Sequence, residues 1–404
     1  MSMPDTEWAR FIEQDWQQRP VVLHSVLSRP LLDPDELFDL LHHIGTQARA
    51  GHPLVIRCYV DGAEVNGPRR APFLPLRDDG SLAAYVERVT RAIDGRPFGI
   101  ILNQATSHST VLWRRARSFL RALYGAVGHP RGVSECGLFL GTYEETPFGI
   151  HSDEADVFVF SIERAKQMLL WPRSYFFKHE IPIVPTILGE DVLNDTAPFA
   201  RDAIDLTCTP ADVMYWPRDY WHVGVNSGER GLQASVSLGA YMSRAGPMFD
   251  DDLRALLLPS ISKQPPPGLA LRDVAAYVET TCADLREAAA SNAAKRTLLG
   301  RWLASLSNAG LPPPPRCAFT ADPEATFVVA EDALLIEHEA PGGGVLIAAN
   351  GRYLHVEERD SPEAKALCAR VRAGERFTLR GDPYALVRWL TEVRLLEADG
   401  SPDM

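Results

Sequence analysis

Gly149-Ile-His-Ser-Asp-Glu-Ala-Asp-Val-Phe-Val-Phe160 is the stretch on which the reading of this chain turns. His151 and Asp153 are two residues apart, and alternate residues of a strand face the same side, so a strand here would aim an imidazole and a carboxylate at one point. Further along, Tyr215-Trp-Pro-Arg-Asp-Tyr-Trp-His222 supplies a second imidazole. Two histidines and one carboxylate form the facial set that holds non-haem Fe(II) and leaves neighbouring positions open. The expectation is a metal centre with His151, Asp153 and His222 as ligands and catalytic residues, serving an iron-dependent oxygenase.

A His-x-Asp pair alone recurs by chance, so its surroundings carry the weight. After Gly132 the pattern is one of short strands between turns: 137–143, 156–162, 167–171, 205–209, 213–216, 222–226 and 233–242. Short strands at close intervals predict a sandwich or barrel. A ligand pair on one strand and a lone histidine after a proline-containing turn are what a double-stranded β-helix (jelly roll) needs to bring ligands together across its interior. The fold class expected is therefore α+β, a jelly-roll core with flanking helices.

Upstream, Trp8, Phe11, Ile12 and Trp16 recur at helical spacing and predict a helix over 6–19, stopped by Pro20. A strand over 21–26 follows, then a helix from Asp33 to Gln47 opened by a capping box of Asp33 and Glu36. A hairpin turning at Asp61-Gly62, helices over 81–93 and 110–125 and a strand over 98–103 complete this part. His24 lies in an apolar run and reads as a core or edge residue. His42 and His43 are adjacent on a helix and point about a hundred degrees apart, so they cannot serve one site.

Beyond Asp250 the composition becomes rich in Ala, Leu, Arg and Glu, with helices over 251–258 and, after the break at 265–268, over 271–308. Pro312-Pro-Pro-Pro315 reads as a stiff linker. Past it, strands are expected over 325–337, 344–349, 353–357 and 376–379, and helices over 362–373 and 383–396. The domains are then 1–245, 246–310 and 311–404. Gly342-Gly-Gly344 lacks a following Lys-Ser/Thr and reads as a turn rather than a phosphate loop.

With 404 residues, 46% of them hydrophobic, the chain can bury a large core. No run is long and apolar enough for a membrane helix, and the start lacks a secretory signature, which together point to the cytoplasm. Six cysteines without paired spacing argue against a disulfide framework or a zinc cluster. Lys and Arg number 41 against 53 Asp and Glu, a net charge of −12, so nucleic acid is an unfavoured direct substrate.

A keto acid such as 2-oxoglutarate would take two of the open positions on Fe(II), and its far carboxylate would need a cation in a half-dry cavity. Lys166, fifteen residues past His151, is the candidate, because an unpaired buried carboxylate is costly. Arg164 is the substitute. Ser235 and Ser237 share a face of the late strand and are candidate hydrogen-bond partners of the cosubstrate, although a polar barrel face explains them equally. Tyr143, Asn226 and Trp221 are near in sequence, Trp221 reading as core.

Taken together, Trp16-Gln-Gln-Arg-Pro20, Phe148-Gly-Ile-His-Ser-Asp-Glu-Ala-Asp-Val-Phe158, Lys166 and Tyr215-Trp-Pro with His222 resemble the JmjC-type 2-oxoglutarate oxygenases, in particular the bacterial cupin-like ribosomal oxygenases. The resemblance spans residues 8–242. It implies Fe(II) on His151, Asp153 and His222, 2-oxoglutarate on Lys166, a helical dimerisation segment and a small winged-helix-like C-terminal domain, hence a homodimer. The chain departs from the family in reading Ser161-Ile-Glu-Arg-Ala-Lys166, without a glycine before the cation. The substrate implied is a side chain of a ribosomal protein or a peptide natural-product precursor, with hydroxylation and demethylation both open. Two other classes stand beside this reading: a cupin metalloenzyme acting on a small molecule without a keto acid, and a non-catalytic jelly-roll binding protein.

Overall fold

A computed structural model describes residues 3–53, 55–186, 189–192, 195–226, 231–242, 273–319, 325–380 and 382–399. Contacts divide the chain into two units, Met1–Arg244 and Ala245–Met404, each with its own core. The first begins with α1 (Asp5–Gln14), β1 (Val21–Leu23), α2 (Pro34–Arg49), β2 (Ile56–Val60), β3 (Ala63–Val65), α3 (Leu82–Ala92), β4 (Phe98–Leu102) and α4 (Thr110–Val127). It continues through β5 (Ser134–Gly141), β6 (His151–Asp153), β7 (Asp156–Glu163), β8 (Lys166–Pro172) and α5 (Ser174–Lys178). Its last strands are β9 (Ile183–Pro185), β10 (Gly189–Val192), β11 (Ile204–Cys208), β12 (Val213–Trp216), β13 (Tyr220–Val225) and β14 (Gln233–Ala240).

The strands form an eight-stranded sheet, β1-β12-β7-β14-β5-β4-β2-β3, and a six-stranded sheet, β11-β8-β13-β6-β10-β9. All the pairings are antiparallel. Between β5 and β14 the chain passes repeatedly from one sheet to the other, so β5-β14-β7-β12 lies opposite β6-β13-β8-β11. This is the double-stranded β-helix.

Alternation along the strands decides what enters the space between the sheets. On β7, Val157 and Val159 point inward and meet Met168 and Leu170 of β8 and Met214 and Trp216 of β12. The other face of β8 sends Leu169 and Trp171 outward, where with Trp221 and Val223 of β13 they bury Phe176 of α5. His222, between Trp221 and Val223, therefore faces the interior. The outer face of the large sheet is closed by aromatic rings: Phe11 of α1 lies edge-on to Tyr215 at 4.8 Å, and Phe119 of α4 edge-on to Phe158 at 5.1 Å and Phe160 at 5.0 Å.

The first helix corrects the expectation for 6–19, since it ends at Gln14. Gln17 adopts φ 55°, its backbone N–H donates to the Tyr215 hydroxyl at 2.9 Å and its side-chain amide to Asp156 at 3.1 Å. Those long-range bonds, and Trp16 stacked on Tyr215 at 5.6 Å, outweigh the helical periodicity. The capping box of α2 and the hairpin at Asp61-Gly62 form as expected.

The second unit contains α6 (Val274–Ala290), α7 (Asn292–Ser307), β15 (Thr326–Val329), β16 (Leu335–Glu339), β17 (Val345–Ala349), β18 (Arg352–Val356), α8 (Ser361–Arg372), β19 (Phe377–Thr378), α9 (Tyr384–Glu392) and β20 (Leu396–Ala398). Two three-stranded sheets, β16-β17-β18 and β19-β15-β20, share a core with α8 and α9 built on Val345, Ile347, Leu367, Val387 and Leu390. Helix α7 packs Leu303 onto Leu346 and Ala348, so the described part of 246–310 belongs to the same unit as 311–404.

Three expectations for this unit change. The long helix breaks at Ser291, whose hydroxyl accepts from the Ala294 N–H at 3.1 Å and caps α7. The strand over 325–337 is two strands in different sheets. The last helix stops at Glu392, because Arg394 turns the chain at φ 61° into β20. The helix expected over 251–258, the break at 265–268 and the first two residues of 271–308 lie outside the described residues. Among the described residues no helix is long and apolar enough to cross a membrane.

Candidate active site

Strand β6 is three residues long, and its register places His151 directly opposite His222 of β13. The turn that delivers it closes with the Gly149 N–H donating to the Thr146 carbonyl at 2.9 Å. Gly149 sits at φ 67°, a conformation that suits a residue without a Cβ. Two positions later Asp153 points to the same side of the strand, as the alternation requires.

The two imidazole centroids are 4.2 Å apart, and His222 Nε2 is 3.5 Å from Asp153 Oδ2. Ligand atoms of His151, Asp153 and His222 all lie within 4.8 Å of one another, the one such trio among the described residues. His151 Nδ1 is 3.0 Å from the Gly149 carbonyl, and His222 Nδ1 faces the Tyr220 carbonyl at 3.4 Å. A carbonyl only accepts, so the ring proton of His151 belongs on Nδ1 and its Nε2 lone pair is left for a ligand; the longer His222 contact orients that ring in the same sense.

Charge favours the same use. Burial, with the neighbouring His222 adding to it, brings His151 down to about 4 and keeps its ring neutral at ordinary pH. For Asp153, burial pushes the carboxyl up, but the hydrogen bond to His222 and the fields of both histidines outweigh it and leave the group below the usual aspartate value. Two imidazole nitrogens and an ionised carboxylate fit a divalent ion of the iron class with positions to spare. Phe148 stands edge-on to His151 at 4.6 Å and Trp216 against His222 at 4.8 Å, fixing both rings.

The cavity behind the trio is lined by Lys166, Ser235 and Ser237. Lys166 opens β8 on the face that carries Met168 and Leu170, and is 4% exposed. Its ammonium is 3.5 Å from the Tyr143 hydroxyl and lies over the Tyr143 ring at 5.3 Å. Arg164, the substitute, is exposed and turns at φ 63°. Asn226 is tied to the loop after β5 through its N–H and the Glu144 carbonyl, and Trp221 is core on the opposite face of β13.

Sequence reading missed Phe139, Thr146, Met168, Trp216 and Gly224, which also line the cavity. Gly224 had a detectable signal: it is two residues from His222 and so shares its face. A Cβ there would lie 2.7 Å from Lys166 Nζ and 2.8 Å from Thr146 Cγ2. The missing side chain is what lets the lysine reach across β13.

Residues 132–245 match the family model described as the JmjC domain. No curated protein matches the sequence. Among solved structures, an X-ray structure of E. coli YcfD aligns with 97% of this chain and 98% of its own at 16% identity, TM-score 0.52. Another, YcfD described as a ribosomal oxygenase from Escherichia coli in complex with cobalt and 2-oxoglutarate, aligns over the same shares at 13% identity, TM-score 0.49. The matched residues lie within the first unit, and its strand order is that of a double-stranded β-helix, so the fold and the similarity to the JmjC domain model agree.

Proposed function

We propose that the chain is an Fe(II)- and 2-oxoglutarate-dependent hydroxylase of an amino-acid side chain in a protein or peptide, releasing succinate and CO2. The observation that carries this reading is a facial His-Asp-His trio sharing one cavity with a buried lysine that has no carboxylate partner among the described residues. Iron, when bound, supplies the redox chemistry that couples keto-acid decarboxylation to oxidation of a C–H bond.

The residues divide that work. His151, Asp153 and His222 hold the metal from one side. Lys166, with the Tyr143 hydroxyl beside it, takes the far carboxylate of the cosubstrate in a charge-assisted bond. Ser235 and Ser237 offer hydroxyls to the same molecule, while Met168 and Trp216 exclude water around it. A neighbouring pocket of about 260 Å³ shares His151 and Asp153 and opens past Gly137, Gly239 and Tyr241, giving a substrate side chain its own approach.

The reading extends to compartment and assembly. Four of six free cysteines are buried, in keeping with a reducing cytoplasm. Helix α6 has no buried residue, and Val274 and Val278 are exposed on it, which supports pairing with a second copy.

The test is succinate formation from 2-oxoglutarate together with metal content. Wild-type protein should bind one Fe(II) and form succinate; Asp153→Ala should lose both. Metal bound without keto-acid turnover would move the chain to another cupin reaction class, and absence of metal affinity would leave a binding protein.

A further inference from the structure

Strand β10 brings a second carboxylate to the ligand-bearing face of the six-stranded sheet. Its register pairs Asp191 with His151, and His151 is paired in turn with His222 of β13. Residues directly opposite one another in an antiparallel sheet project from the same face, so Asp191, His151 and His222 form one row across neighbouring strands. The next residue, Val192, packs on the outer face with Ile150 and Trp221, as alternation requires when Asp191 faces inward. Strand β10 lies this close because a glycine, Gly189, stands opposite Asp153. A Cβ at that position would collide with the Ser152 carbonyl oxygen.

The two acidic side chains of β10 are placed differently. Glu190, pointing the other way, is paired with Arg173 at 2.5 Å. Asp191 is half-buried, and its carboxylate has no hydrogen bond or ion pair among the described residues. Burial and then the charge of Asp153 hold its carboxyl above the ordinary aspartate value. A carboxylate left without a cation beside another carboxylate is unfavourable until a positive charge enters between them. Asp191 is outside the set whose ligand atoms lie within 4.8 Å of one another, so its effect on an ion held there is through space.

We propose that Asp191 is an outer carboxylate of the metal centre, which strengthens capture of a divalent ion by His151, Asp153 and His222 without ligating it. The inference rests on the metal reading of that trio given above. Histidines ligate in their neutral form, so Asp153 is the one anionic ligand of the trio and leaves one unit of a divalent charge uncompensated. Asp191, one strand beyond His151, supplies the balancing charge from the second shell. The ion in turn relieves the repulsion between the two carboxylates.

The experiment titrates the metal-free full chain with Co(II), reads binding by calorimetry, and follows heat unfolding of each metal-free protein alongside. Asp191→Asn should weaken Co(II) binding roughly tenfold, and Asp191→Glu should recover most of the loss. Metal-free Asp191→Asn should be at least as heat-stable as the wild type, because a repelled charge has been removed; a structural role would lower that stability instead. Raising the salt concentration should narrow the difference in affinity between wild type and Asp191→Asn, since a charge acting through space is screened. Wild-type binding matched by Asp191→Asn, or weaker binding accompanied by a less stable metal-free protein, would overturn the role of Asp191 and leave the trio intact as a metal site. Failure of the wild type itself to bind Co(II) would remove the metal reading and this inference together.

Discussion

Lys166 and Gly224 tie the proposed cosubstrate site to two single positions of the chain. The lysine is buried beside Tyr143 and reaches across β13 because position 224 carries no Cβ. Lys166→Ala should raise the 2-oxoglutarate requirement by roughly 10- to 100-fold, the worth of a charge-assisted hydrogen bond of about 1.5–3 kcal/mol. Metal affinity should be little changed, as measured by Fe(II) titration. Gly224→Ala should act in the same direction and more weakly, since Nζ is the movable end of a long side chain; a larger effect on metal than on cosubstrate would place the glycine in another role. Outside the site, burial brings His129 down to about 4. A histidine held neutral by the fold contributes stability above about 6.5, its unfolded value, and loses that contribution as pH falls toward 4. In His129→Gln, the pH dependence of stability between those limits should flatten, as followed by urea denaturation.

Strands β6 and β13 are organised by alternation: one face carries the candidate ligands, the other carries core. Trp221 is fully buried behind His222, and its indole N–H donates to the Arg173 carbonyl at 3.0 Å. Trp221→Ala should cost about 3–5 kcal/mol of stability and weaken Fe(II) binding as well, because the strand that positions His222 loses its backing. Phe11→Ala, on the opposite face of the large sheet, should cost a similar amount of stability with metal affinity retained in the folded fraction. Equal loss of metal affinity in both would show that the two faces of the barrel are not separable. The strands bearing these residues were legible beforehand because apolar alternation and turns marked them. The ends of α1, of the helix broken at Ser291 and of α9 were not. There, Gln17, Ser291 and Arg394 take backbone conformations that local periodicity does not encode.

At the scale of the whole chain, two units each contain a core of their own. Heat denaturation should therefore show two steps. Leu390 is fully buried in the second core, and Leu390→Ala, at a cost of about 2–5 kcal/mol, should lower one midpoint while the step that releases bound Fe(II) stays in place. A single cooperative step shifted by that substitution would show that the units unfold together.

That His151, Asp153 and His222 would come together was legible in the sequence alone, because a two-residue spacing on a strand is a local geometric constraint and His222 follows a turn that returns the chain. Lys166 was likewise legible, as the first residue of a strand after a tight turn. Only tertiary structure distinguishes Lys166 from Arg164, by burying one and exposing the other. It alone revealed Gly224, Thr146 and Asp191. Those residues meet through strand register and through contacts across long stretches of sequence, and such contacts leave no mark in the spacing of neighbouring residues.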